Sequence, residues 1–290
     1  MGYLLFVSLL WAFSFGLIKG NLAGIDSNLV SFTRLAISLL VFLPFLRFRK
    51  VNHPIRFKLI LIGVIQFGIM YMAYIHAFQY LKAYEVALFT IFTPIYVTLY
   101  AQFRQNRLTL LPVFTTILAV AGTGLVQYSS PVKSDYWIGF LFVQVSNLAF
   151  AVGQVEYKRI MQPLKNVKDQ EVIGWLYLGG AAVTGLACFL WTDFRSQDIQ
   201  IPQILTLLYL GAIASGLGFF IFNSGARKVD TGTLAILNNL KIPLTVAVSL
   251  IFFGEDANWV TLLAGGGIVA AALWLHEWIT WRTSRQSLPA

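Results

Sequence analysis

The chain has 290 residues, 58% of them hydrophobic and 11% charged. A soluble domain is about a quarter charged, so these few charges cannot coat a water-facing surface of this size, and the solvent for most of the chain is lipid. The net charge of +9 is spread over short segments between apolar runs, which argues against a nucleic-acid binder with its cations on one hydrophilic face.

A helix crosses the hydrocarbon layer in about 20 mostly apolar residues, and its backbone must satisfy its own hydrogen bonds there. The runs are continuous, without the alternation of a barrel strand. They predict ten helices, at 3–19, 28–46, 58–79, 85–103, 109–128, 136–157, 172–191, 203–222, 233–253 and 260–279. The first run has no basic residue ahead of it and reads as a retained span, not a cleaved leader. Connections are short and leave no room for a separate soluble domain. Cys188, the single cysteine, excludes an intrachain disulfide framework and a thiolate metal cluster.

Basic residues orient the set. Fifteen lie in alternate connections and the tail, from Arg47, Arg49 and Lys50 through Arg227 and Lys228 to Arg285, and four lie in the other connections: Lys19, Lys82, Lys133 and Arg195. This bias places both termini in the cytoplasm. Arg34 and Lys241 fall within spans.

A shift of 149 residues lays Pro94 on Pro243, Ala77 on Ala226, Val97 on Val246 and Phe103 on Phe252. The expectation is two halves, 1–130 and 131–290, of five spans each. An odd number of spans inverts the second half relative to the first, as in many secondary transporters.

Four stretches then carry a resemblance: LLWAFSFGLIK, FTRLAISLLVFLPF with Arg34, AFQYLKAYEVALFTIFTPIY with its later partner, and LIFFGEDANWVTLLAGGGIVAAAL. In this order and spacing the chain resembles the ten-helix EamA-type drug/metabolite transporters. One departure is Asn106, where the family often has a glutamate; Glu255 keeps the equivalent in the second half. The resemblance implies an all-α polytopic fold of two inverted five-helix repeats around a central cavity, in a bacterial inner membrane. It implies a secondary transporter of small metabolites, such as amino acids, amines or related carboxylate-bearing compounds, with export expected first. Uptake or exchange of an anionic or zwitterionic metabolite is the alternative. A non-transport membrane subunit or a membrane-embedded enzyme is the reading of another class. The enzyme is disfavoured: His53, His76 and His276 are scattered, and HExxH, GxSxG and the nucleotide-binding P-loop are missing from the sequence. No metal and no cofactor are expected. The partners expected are a small-molecule substrate and the bilayer, without nucleic acid; nothing in the chain sets an oligomeric state.

The candidate binding residues are the polar ones inside spans. A lysine at the centre of a span costs about 2.5–3.5 kcal/mol to insert, so intramembrane charges usually serve function. In LAILNNLKIPLTVAVSLIFFGE, Asn238, Lys241 and Thr245 share one helix face. Pro243 withholds a donor from the carbonyl of Asn239 and, like Pro94, is a candidate bend or gate. The face is read as a cavity wall whose Lys241 holds an anionic substrate group; an internal ion pair or snorkelling is the structural alternative. Tyr71 and Tyr74 share a face of the third span, and His76 is a candidate proton relay. Gln144, Asn147 and Gln154 form a polar stripe on the sixth. Asn223 falls opposite Tyr74 by the repeat shift, and Trp11 can stack on a flat or cationic group. Arg34 reads as a scaffold residue rather than a substrate contact. Lys241→Ala should abolish transport without lowering membrane abundance, measured as substrate flux against immunoblot signal; full transport by this variant would defeat the assignment.

Overall fold

The computed structural model describes residues 2–106, 135–228 and 241–255, with single positions at 114 and 117 and between 260 and 279. The described residues form helices and no strand. Helix α1 is Gly2–Asn21 and α2 is Ser27–Phe42, prolonged by a 3-10 turn at Leu43–Phe45. They are followed by α3 (His53–Tyr80), α4 (Ala83–Arg104), α5 (Tyr136–Met161), α6 (Ile173–Trp191), α7 (Ile201–Ala226) and α8 (Lys241–Phe252). Helices α2 to α7 are long and apolar enough to cross a membrane, and the described apolar parts of α1 and α8 are Phe6–Asn21 and Lys241–Phe252. The first four expected spans and the sixth to eighth coincide with α1–α4 and α5–α7. The ninth is described from Lys241 onward. The fifth and tenth lie outside the described residues apart from single helical positions.

Local chemistry sets the ends. The Asp26 carboxylate accepts from the N–H groups of Asn28 at 2.9 Å and Leu29 at 3.1 Å, capping α2. It also accepts from Thr192 Oγ1 at 2.6 Å, which ties this connection to the end of α6. Asn52 caps α3 ahead of Pro54, and Asn106, at φ 54°, follows the end of α4 in the left-handed region. Pro94 has no N–H to give to Thr90, and a 3-10 turn interrupts α4 at Thr90–Phe92, immediately before it.

Helices α3 and α7 are each broken by a π-helical segment, Val64–Ile69 and Leu210–Leu217. Shifted by the 149 residues that superpose the two prolines, the first falls on 213–218 and overlaps the second. Packing repeats the same relation. Helix α3 lies on α5 and α6 as α7 lies on α1 and α2; α4 lies on α5 as α8 lies on α1; and α2 lies on α6. Exchanging α1–α4 for α5–α8 leaves these principal contacts unchanged.

The surface is apolar and the interior carries the polar groups, the reverse of a soluble domain. Leu141, Val145 and Leu148 of α5 and Phe189, Leu190 and Trp191 of α6 are exposed, whereas Ser38, Gln66, Thr93, Asn147, Asn223 and Thr245 are buried. Where α3 crosses α6 the backbones nearly touch. A Cβ on Gly63 would meet the carbonyl oxygen of Leu176 at 2.0 Å, and one on Gly179 that of Ile60 at 2.1 Å. Small residues permit this approach, which dispersion rewards in lipid. Overpacking costs about 1–3 kcal/mol, so Gly63→Ala should lower the unfolding temperature of the purified protein. Gly267→Ala, where a Cβ meets nothing within 4 Å among the described residues, should leave it in place.

Candidate substrate cavity

The helices leave a cavity of about 530 Å³, counting the part open to the outside. Residues from α1, α2, α3, α4, α5, α7 and α8 line it.

Trp11 of α1 forms one wall. Its Nε1–H donates to the carbonyl of Ala214, in the π segment of α7, at 2.9 Å. Its ring packs on Phe219 and Phe222, with centroids 5.0 and 5.2 Å away. The Lys241 amine, on α8, stands 5.1 Å from the Trp11 ring centroid and 6.0 Å from that of Phe150. Lys241 lines the cavity and is buried. It neither faces the apolar exterior nor closes off in a solid bundle. Desolvated cation–π contacts of this kind contribute about 2 kcal/mol each.

A polar cluster forms a second wall. Tyr71 Oη donates to Ser215 Oγ at 2.7 Å, and Ser215 Oγ donates to the carbonyl of Leu210 at 2.7 Å. Arg34 donates through Nε to Ser215 Oγ and through Nη2 to Tyr71 Oη, both at 3.1 Å. The carbonyls of Leu210 and Ala214 can receive side chains because the π segment displaces the ordinary i to i−4 ladder; such bulges are frequent at functional sites.

A third wall is neutral. Asn147 of α5 accepts from Thr93 Oγ1 at 3.1 Å and donates to the carbonyl of Phe89 at 2.8 Å. Thr90, Thr93, Ser14 and Ser146 add hydroxyls, and Phe15, Met70, Tyr74, Phe150 and Phe219 add apolar surface. Among the described residues, no acidic side chain lines the cavity. An anion would meet no like charge from these residues.

Of the residues chosen from sequence, Lys241, Tyr71, Tyr74, Asn147 and Trp11 converge here. Others stand one layer back. Gln144 accepts from Asn147 Nδ2 at 3.2 Å and from Tyr96 Oη at 3.2 Å. Asn223 accepts from Gln66 Nε2 at 3.1 Å, joining α7 to α3. Thr245 shares the buried face of Lys241 but does not line the cavity. His76 is off the lining altogether. Its Nδ1 lies 2.7 Å from the carbonyl of Met72 and its ring stacks on Phe142. Asn238 and Asn239 lie outside the described residues. Pro243 is exposed on α8, while Pro94 lies behind the lining, next to Thr93. The hydroxyls of Thr90 and Thr93 were legible only through their place beside Pro94. Phe15, Phe150 and Phe219 carried no signal among 24 phenylalanines.

Away from the cavity, Glu255 accepts from the N–H groups of Ala83 at 2.7 Å and Tyr84 at 3.1 Å, joining the end of α8 to the start of α4. Glu156 bonds Arg159 at 3.5 Å, Arg104 at 3.0 Å and Tyr100 Oη at 2.9 Å, so it joins α5 to α4.

Known proteins agree with this architecture. The biotin transporter of Salmonella typhimurium is 38% identical over 288 residues, which cover 98% of this chain and 96% of that one. A probable biotin transporter of Pseudomonas aeruginosa is 36% identical over 279 residues, 96% of this chain and 97% of that one. A solved crystal structure matches with a TM-score of 0.68 at 17% identity, covering 98% of this chain and 96% of the other, and so supports the fold. The family model described as the EamA-like transporter family matches residues 1–128 and 137–283, and the chain belongs to that family.

Proposed function

We propose that this protein carries biotin, or a closely similar monocarboxylic acid, across the bacterial cytoplasmic membrane by alternating access. The carrying observation is the Lys241 amine, buried against Trp11 in a cavity whose described lining residues include no carboxylate. An ionised carboxylate placed there would be attracted to the ammonium through a medium of low dielectric. Biotin has that carboxylate on an apolar chain, followed by a fused ring system. The aromatic wall of Trp11, Phe150 and Phe219 suits the apolar part. The whole-length likeness to proteins named biotin transporters supports the choice among carboxylates.

Alternating access rests on the reading of two inverted five-helix halves, 1–130 and 131–290, with both termini cytoplasmic. The exchange symmetry of the helix contacts and the coincident π segments support it. In that orientation Glu255 and the Ala83 and Tyr84 amides lie on the outer side and join the two halves. The outer mouth is then the closed one, and opening it breaks these two bonds.

Counterflow in proteoliposomes tests the function. Vesicles loaded with unlabelled biotin should accumulate labelled biotin from outside, and reversing the loading reads the opposite direction. Biotinamide, which lacks the ionised carboxylate, should compete at least about tenfold less well, the factor given by about 1.4 kcal/mol. No biotin flux, or equal competition by biotinamide, would overturn the reading. Repeating the assay across a pH gradient, with His76→Gln beside the wild type, tests His76 as the proton relay: a gradient-driven component should vanish in the variant.

A further inference from the structure

The packing of α2 leaves part of Arg34 unused. The residue is 2% exposed, lies within Ser27–Phe42 and lines the cavity. Nε and Nη2 are occupied by Ser215 and Tyr71, and Cζ stands 4.7 Å over the Tyr71 ring. Nη1 is buried and has no hydrogen-bond partner among the described residues. Among the described residues no carboxylate forms an ion pair with it. A buried donor without an acceptor is costly, and more so on a charged group. An acceptor brought by a ligand is therefore rewarded strongly at this position.

Three rings connect this cation to the other one. Lys241 Nζ lies 5.1 Å from the Trp11 centroid, Trp11 lies 5.0 Å from Phe219, and Phe219 lies 5.9 Å from Tyr71, over which Arg34 stands. The cavity thus has an aromatic floor with a cation at each end.

We infer that Arg34 is a specificity-determining residue whose Nη1 donates to a neutral carbonyl oxygen at the end of the substrate remote from its carboxylate. The inference rests on the reading of the substrate as a biotin-like acid held by Lys241. Two features of the guanidinium decide the assignment. Its Nε–Nη2 edge is taken by Ser215 and Tyr71, so that edge cannot fork onto a carboxylate. Its remaining nitrogen suits a single acceptor, fixed in direction by the bonds that hold the other two. The Lys241 amine is a compact point charge with rotatable donors and suits the carboxylate. A ureido carbonyl lies at the far end of biotin, beyond the rings that would rest on the floor. Sites built to hydrogen-bond a group discriminate strongly against ligands that lack it, because the site's own polar atom is then stranded.

The test uses the full-length protein in proteoliposomes and half-saturating concentrations from counterflow. Three ligands are compared: biotin; lipoate, which has a similar carboxylate arm and no carbonyl at its ring end; and iminobiotin, in which a guanidinium replaces the ureido carbonyl. The wild type should prefer biotin to each of the others by at least about tenfold. Arg34→Gln should weaken biotin by at least about tenfold and lipoate by less than about threefold, and should narrow the gap to iminobiotin. Equal weakening of biotin and lipoate would make Arg34 a scaffold residue and overturn the inference. A wild type that does not separate the three ligands would overturn it too. If Arg34→Gln fails to fold, judged by its unfolding temperature, the wild-type ranking alone decides. Biotin flux without selectivity through Arg34 defeats this inference and leaves the functional reading standing; no biotin flux in the wild type defeats both.

Discussion

A cation stays inside an apolar bundle only where other groups replace the water it has lost. In this protein the ring of Trp11 does part of that for Lys241, and Ser215 and Tyr71 do it for Arg34. Neither arrangement stands alone. Trp11 is held by the carbonyl of Ala214, and Ser215 by the carbonyl of Leu210. Both carbonyls belong to one π segment of α7. The two cation sites therefore share an origin, an irregular stretch of backbone that can leave its ladder because side chains take up the freed acceptors.

The same economy explains where the structure is tight and where it is open. Helices α3 and α6 meet at glycines, with backbone against backbone at Gly63 and Gly179. Such contacts are worth something in lipid only if they are close, since lipid tails offer no hydrophobic drive for association. Around the cavity, bulky aromatic and polar side chains hold the helices apart. A rigid seam beside a lined void suits a carrier that must rearrange around its site without losing its fold.

Much of the candidate site was legible because polar residues in an apolar span are costly and so conspicuous. Lys241, Asn147, Tyr71 and Trp11 were each found that way, on separate helices, and the fold brings them to one cavity. Arg34 was equally conspicuous, and its sequence position suggested a scaffold; that two of its nitrogens are occupied and the third has no partner among the described residues is visible only in the structure. Gln144 and Asn223 were as polar as Asn147, yet they serve helix-to-helix bonds. Period and hydropathy give the face of a residue on its own helix. They do not say which neighbouring helix that face meets.

What the sequence determined by itself was the solvent, the helical class and the positions of the described spans; the shift of 149 residues gave an expectation of two halves. These follow from local constraints: apolar runs long enough for a bilayer, a backbone with no water to bond, and proline at matched places. The tertiary structure decided the π breaks, the aromatic floor and the free nitrogen of Arg34. Each depends on atoms from helices far apart in the chain, and a non-local hydrogen bond such as Trp11 to Ala214, across 203 positions, leaves no trace in the residues that flank either partner.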